Sequence, residues 1–200
     1  MAKYEFITKA QKIVQIPFWL VISSRPRQWL KNLAIFAPLV FEGAFFSPPS
    51  FWLVVFGFVI FSIVTSAIYL INDVIDVEKD RAHPFKSKRP IAAGRVNRTL
   101  ALVVALISLI TAIFFANNIS FFFTISIVAY TILQIVYSLF LRSVILLDVM
   151  AIASGFLLRV YAGAVLINAH VTIWFILTVA SLALFLAVGK RRSERTLLVG

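Results

Sequence analysis

Between Phe51 and Ile71 the chain runs for 21 residues without one Asp, Glu, Lys or Arg. At about 1.5 Å of rise per residue, an α-helix of that length crosses the ~30 Å hydrocarbon core of a bilayer. Its apolar residues are continuous rather than alternating, which favours a helix over a barrel strand. Similar runs predict further spans over about 25–46, 99–116, 119–141, 144–167 and 171–189, so that Phe51–Ile71 is the second of six. Composition agrees, because 62% hydrophobic residues and a mean hydropathy of +0.99 are too apolar for a soluble domain of 200 residues. The expected fold is an all-α, polytopic transmembrane helical bundle. Residues 1–24 are too polar early and too short later to span, with Pro17 interrupting, and they read as an interfacial segment rather than a signal peptide. Residues 25–200 form the transmembrane domain, where a serine before Pro26 marks a helix start, Trp29 sits at headgroup level, and Gln28, Lys31 and Asn32 share one face. The pair Asn117-Asn118 reads as a tight turn between two spans.

The net charge of +11 would suggest nucleic acid as the partner of a soluble protein, but here the positions of the charges matter more than their sum. Basic residues occupy alternate connections: Arg25, Arg27 and Lys31 before the first span, Lys79 through Arg98 after the second, Arg142 after the fourth, and Lys190 to Arg195 after the sixth. The segments 47–50, 117–118 and 168–170 contain no Lys or Arg. The positive-inside rule then places the N-terminus and all charged loops in the cytoplasm of a multi-pass plasma-membrane protein. The partner is the membrane, not nucleic acid. With no cysteine, disulfides and thiolate metal sites are absent from the possibilities.

The second span delivers the chain to Asn72–Arg95, which holds four of the eight acidic residues, Asp73, Asp76, Glu78 and Asp80, and then reverses sign with Lys86, Lys88, Arg89 and Arg95. If the helix carries on, Asn72, Asp76 and Asp80 fall at i, i+4, i+8, with Asp73 beside them. Like charges so stacked repel unless a positive group sits against them, and a hard divalent cation such as Mg2+ fits that need. Acid for a metal followed by base for phosphate oxygens is the layout of a diphosphate site. A solvated charged loop anchored by its basic residues would have the same composition.

Asp148 and Arg159 lie on one face of the fifth span, roughly 16 Å apart along a helix axis, too far for a salt bridge with each other. An arginine inside a span is costly and marks a functional candidate; snorkelling or pairing with another acid are the structural alternatives. Gly155 and Gly163 suit close helix packing.

Asn72-Asp73-x-x-Asp76-x-x-x-Asp80, followed by Lys88-Arg89-Pro90 and Ala93-Gly94-Arg95, resembles the first aspartate motif and basic loop of the UbiA superfamily of intramembrane prenyltransferases. Tyr137-Ser138 with Arg142 resembles that family's loop after the fourth span. The resemblance implies a nine-span bundle around a membrane-embedded cavity, of which this six-span chain would be a fragment lacking the C-terminal part. It also implies Mg2+ bridging carboxylates and a substrate diphosphate. Where the prenyltransferases carry a second acidic motif, this chain has Lys190, Arg191, Arg192, Ser193 and Glu194. That departure, with Arg25 to Asn32 and the segment from Asp148 to Gly163, is similar to the decaprenyl-phosphate phosphoribosyltransferase branch.

The branch implies transfer of a phosphoribosyl group from phosphoribosyl pyrophosphate to a polyprenyl phosphate lipid, releasing diphosphate, in cell-envelope (cell wall) precursor synthesis. On this reading Asn72, Asp76 and Asp80 hold the metal, while Asp73, Asp76, Asp80 and Arg89 act on the leaving diphosphate. Gln28, Lys31, Asn32, Lys86, Lys88, Tyr137, Arg142, Asp148, Arg159, Lys190, Arg191, Arg192 and Glu194 bind substrate. A prenyltransferase acting on an aromatic or lipid acceptor, or a membrane transporter without enzymatic activity, are the other readings the residues leave open.

Overall fold

The computed structural model describes residues 14–141 and 144–199, with the side chains of 190, 191 and 193–199 outside the description. Among the described residues the regular structure is helical and there is no strand. Helix α1 (Val14–Ser23) leads into a 3₁₀ helix over Pro26–Phe36, then α2 (Ala37–Phe41), a 3₁₀ turn at Ala44–Phe46 and α3 (Pro48–Ile75). Next come α4 (Val77–Arg81), a 3₁₀ turn at Lys86–Lys88, α5 (Arg98–Ile119), α6 (Phe121–Leu139), α7 (Ile145–Leu166) and α8 (Ile173–Val199).

Four of these, α3, α5, α6 and α7, are long and apolar enough to cross a membrane. The fold class expected from sequence therefore holds, while the expected span over 25–46 takes another form. Pro26 opens that segment and Pro38, which has no N–H to donate, lies in the first turn of α2. The 3₁₀ helix between them rises about 2 Å per residue and so is longer than an α-helix of equal residue count. The last apolar stretch, Ile173–Gly189, is a shorter apolar helix that continues as α8 into the basic cluster. The turn expected at Asn117-Asn118 sits later. Asn118 donates its side-chain amide to the Phe114 carbonyl at 2.7 Å and stays within α5, and the break falls at Ser120, extended at φ −159°, whose hydroxyl caps α6 by accepting the Phe123 N–H.

The chain divides into two compact units. The first comprises residues 1–30 and 63–111. Its core is Ala67, Leu70, Val77, Ile91, Ala92, Val96, Ala101 and Ala105, with Trp19, Leu20, Ile71 and Val74 against it. Trp29 Nε1 donates to Ser66 Oγ at 3.0 Å, and Arg95 lies over the Trp19 ring at 4.1 Å, which holds α1 to the basic loop. Outside the spans, Glu78 accepts from Arg98, and that guanidinium holds its carboxyl below the ordinary glutamate range.

The second unit comprises residues 31–62 and 112–200, in which α7 packs on α2, α6 and α8. Ile35, Leu39, Val54, Phe61, Phe123 and Ile127 are buried there. A Cβ on Gly163 would run into the Ile35 backbone carbonyl, so α7 meets the 3₁₀ helix at backbone contact, as the small residue there foretells.

Candidate active site

The acidic stretch keeps its helical register although the helix is interrupted at Asp76. The Asp76 N–H donates to the Asn72 carbonyl at 2.9 Å and the Asp80 N–H to the Asp76 carbonyl at 2.8 Å, so Asn72, Asp76 and Asp80 remain successive members of one row. For Asp73 and Asp80 the counter-charge is arginine. Arg89 Nη1 contacts Asp80 Oδ2 at 2.6 Å and Asp73 Oδ1 at 3.2 Å, and Arg25 Nη2 reaches the same Asp73 oxygen at 2.5 Å. Asp73 and Asp80 are buried, Asp76 is half-buried, and Lys86 and Lys88 are exposed.

The basic loop is ordered by its own backbone. Ala93 donates to the Arg89 carbonyl, Arg95 donates to that of Pro90, and Gly94 supplies the left-handed φ of 72° that closes the turn. Burial of Ile91 and Ala92 and the hydrogen bond from Arg81 Nε to the Ala92 carbonyl at 3.2 Å anchor it, which sets the position of Arg89.

The second unit holds Asn32, Tyr137, Asp148 and Arg159. Arg159 is buried, and its guanidinium donates to Asn32 Oδ1 at 2.8 Å, the Gly155 carbonyl at 2.8 Å and Tyr130 Oη at 2.6 Å, with the Tyr130 ring 4.6 Å away. Among the described residues no carboxylate is in salt-bridge range of it, so it neither snorkels nor pairs with an acid. Asn32 passes the link on by donating to Ser62 Oγ at 3.1 Å. Tyr137 Oη donates to the buried Asp148 Oδ1 at 2.8 Å, near the start of α7.

The 3₁₀ helix separates residues expected on one face. With about three residues per turn, Gln28 and Lys31 fall in one row and Trp29, Asn32 and Ile35 in the next. Lys31 is exposed and Gln28 half-buried, whereas Asn32 is buried. Arg142 lies outside the described residues, as do the side chains of Lys190, Arg191 and Glu194; Arg192 is exposed on α8. The sequence marks Arg25 only as a topogenic charge in a motif. Its pairing with Asp73, 48 positions away, has no local signal.

Among the described residues no group of three His, Cys, Asp or Glu side chains forms a metal site. Three of the acids in the stretch, Asp73, Glu78 and Asp80, are turned to arginines. Asn72 Oδ1, in contrast, is a buried acceptor without a hydrogen-bond partner, one turn before the half-buried Asp76. An amide oxygen and a carboxylate so placed fit a hard cation that takes one or two protein oxygens and completes its shell with water and phosphate.

The chain is 39% identical over 183 residues to the decaprenyl-phosphate phosphoribosyltransferase of Mycolicibacterium smegmatis, covering 88% of this chain and 56% of that one. It is 37% identical over 179 residues to the enzyme of the same name from Mycobacterium tuberculosis, covering 88% of this chain and 59% of that one. The chain thus spans little more than half the length of these relatives. Its fold is similar to that of a UbiA homolog from Archaeoglobus fulgidus bound to GPP and Mg2+, with a TM-score of 0.73 at 23% identity over 89% of this chain and 64% of that one. Residues 33–192 match the UbiA prenyltransferase family, and the chain, an integral membrane protein, belongs to that family.

Proposed function

We propose that this chain takes part in Mg2+-dependent transfer of a 5-phosphoribosyl group from phosphoribosyl pyrophosphate to a polyprenyl phosphate. The observation that carries the reading is the 37–39% identity to decaprenyl-phosphate phosphoribosyltransferases over most of the chain. It is supported by a stretch that places carboxylates, an unpartnered amide oxygen and arginines within one compact unit.

In the reaction an acceptor phosphate oxygen bonds to the ribose anomeric carbon as the bond from that carbon to the diphosphate oxygen breaks. The acceptor is already ionised at neutral pH, so no general base is required. Arg89, with Lys86 and Lys88, neutralises charge that grows on the departing diphosphate. Asp73 and Asp80 hold Arg89 in place, and Asn72 with Asp76 would hold Mg2+. When bound, the cation supplies Lewis-acid stabilisation of the leaving group. Arg159 fixes Asn32 and Tyr130 within the second unit, and Tyr137 orients Asp148. Lys190, Arg191, Arg192 and Glu194 serve the additional phosphates of this substrate pair on the cytoplasmic side.

The test is transfer of labelled phosphoribosyl pyrophosphate to polyprenyl phosphate by membranes carrying the protein, with and without Mg2+. Metal-dependent transfer is the expected result. Prenylation of an aromatic acceptor without phosphoribosyl transfer would replace this reading with the prenyltransferase one.

A further inference from the structure

Glu42 is the sole charged residue between Lys31 and Asp73, and the segments 43–50 and 168–189 bring no Lys or Arg to its surroundings. It caps α2, and its Oε1 accepts the backbone N–H of His170 at 3.1 Å. No Lys or Arg among the described residues lies in salt-bridge range of it. The His170 bond ties α2 to the connection between α7 and α8. That connection is held in shape by the Ala169 N–H, which donates to the Ala164 carbonyl at 2.9 Å, and by the left-handed φ of 51° at Asn168, a residue type that tolerates it. The carboxylate keeps acceptor capacity for a group that brings its own positive charge.

Glu42 lines a cavity of about 320 Å³ in the second unit, together with the Phe41 and Phe175 rings, which meet edge to face with centroids 5.0 Å apart. A carboxylate beside aromatic rings is the chemistry that recognises an ammonium, since the acid supplies the charge and ring faces attract cations. Val171 and Phe175 also line a second hollow of about 190 Å³ between α7 and α8, with Leu157, Leu158, Ile176 and Val179 on its walls. Those walls are hydrocarbon and suit an acyl chain. Trp174, exposed in the first turn of α8, belongs at headgroup depth, so the acidic cavity lies where a lipid headgroup lies and the apolar hollow runs toward the chains. A polyprenyl phosphate does not fit this arrangement, because its anionic head would face Glu42.

We propose that Glu42, Phe41 and Phe175 bind the headgroup of a phospholipid that carries an ammonium, with an acyl chain in the hollow between α7 and α8. The alternation of charge in the connections predicts that this end faces outside, in the leaflet opposite the basic loops. The site does not depend on the proposed function.

Native mass spectrometry of the full chain, released from detergent micelles, measures binding of phosphatidylethanolamine, of phosphatidylglycerol with the same acyl chains, and of soluble glycerophosphoethanolamine, for wild type and E42Q. The glutamine keeps an oxygen for the His170 N–H and loses the charge. Wild type is expected to favour phosphatidylethanolamine over phosphatidylglycerol by about tenfold, and E42Q to bring the two to parity. Equal affinity for both lipids in wild type, or a preference that survives in folded E42Q, overturns the site. Glycerophosphoethanolamine bound as tightly as the lipid overturns the lipid as the ligand. A dimer that E42Q dissociates assigns the face to a second copy of the chain and overturns the proposal as well. If E42Q does not fold, Val179→Trp, which fills the hollow away from the carboxylate, decides: affinity for phosphatidylethanolamine is expected to fall, and unchanged affinity overturns the site.

Discussion

Arg159 on α7 and Asn32 on the 3₁₀ helix, 127 positions apart in sequence, are joined by a 2.8 Å hydrogen bond from the guanidinium Nε to the amide oxygen. The charge is buried among neutral acceptors, and the amide that receives it is itself tied to Ser62. Asn32→Ala removes an acceptor from a buried cation and a donor from a hydroxyl. A loss of about 1.5–3 kcal/mol follows, since hydrogen bonds to charged groups lie in that range. Unfolding of the variant in mixed micelles measures it, and an unchanged midpoint would remove the structural role assigned to the pair.

Backbone contact between α7 and the 3₁₀ helix makes Gly163 intolerant of even one methyl group. Gly163→Ala drives its Cβ into the Ile35 carbonyl and is expected to destabilise by at least about 1–3 kcal/mol, because the obstacle is backbone. Gly189→Ala meets nothing within 4 Å and serves as the control. Equal thermal stability of the two variants would contradict the close approach.

Arg89 neutralises two buried acids, so its loss acts on stability as well as on activity. Arg89→Gln leaves Asp80 without this partner and is expected to cost about 3–5 kcal/mol, as for a broken buried pair. Adding Asp80→Asn to that variant should restore part of the stability and none of the activity. A double-mutant cycle measures the coupling, and strict additivity would mean that the contact carries no interaction energy.

Asp76 stays half-buried in the same helical row as Asn72, whose side-chain oxygen has no partner. Asp76→Asn should leave folding intact while raising the Mg2+ concentration needed for half-maximal transfer and lowering the rate by several kcal/mol of transition-state stabilisation, on the order of a lost metal ligand. A magnesium titration of the variant decides it. An unchanged curve would remove Asp76 from the metal site.

Alternating charge in the connections predicts that Ser87 and Asn118 lie on opposite sides of the membrane. Cysteines introduced one at a time, Ser87→Cys and Asn118→Cys, should react with an impermeant reagent from the inside and the outside respectively. Reaction of both from one side contradicts the topology and the cytoplasmic site with it.

Hydropathy and helix length are local properties, and they made the helical class and the four long spans legible from the order of residues alone. Charge reversal within Asn72–Arg95 was local too, and it located the acidic row and its basic loop. The winding of Pro26–Phe36 was not legible. A 3₁₀ helix of 11 residues is maintained by partners distant in sequence, with Trp29 bound to Ser66, Asn32 to Ser62 and Arg159, and Ile35 against Gly163. The counter-charge of the acidic row also escaped local reading. Like charges in a row announce that something positive must sit against them but not what it is. Packing answered by bringing Arg89 back across the loop and Arg25 up from 48 residues earlier, a matter of side-chain reach between segments that no spacing along one helix encodes.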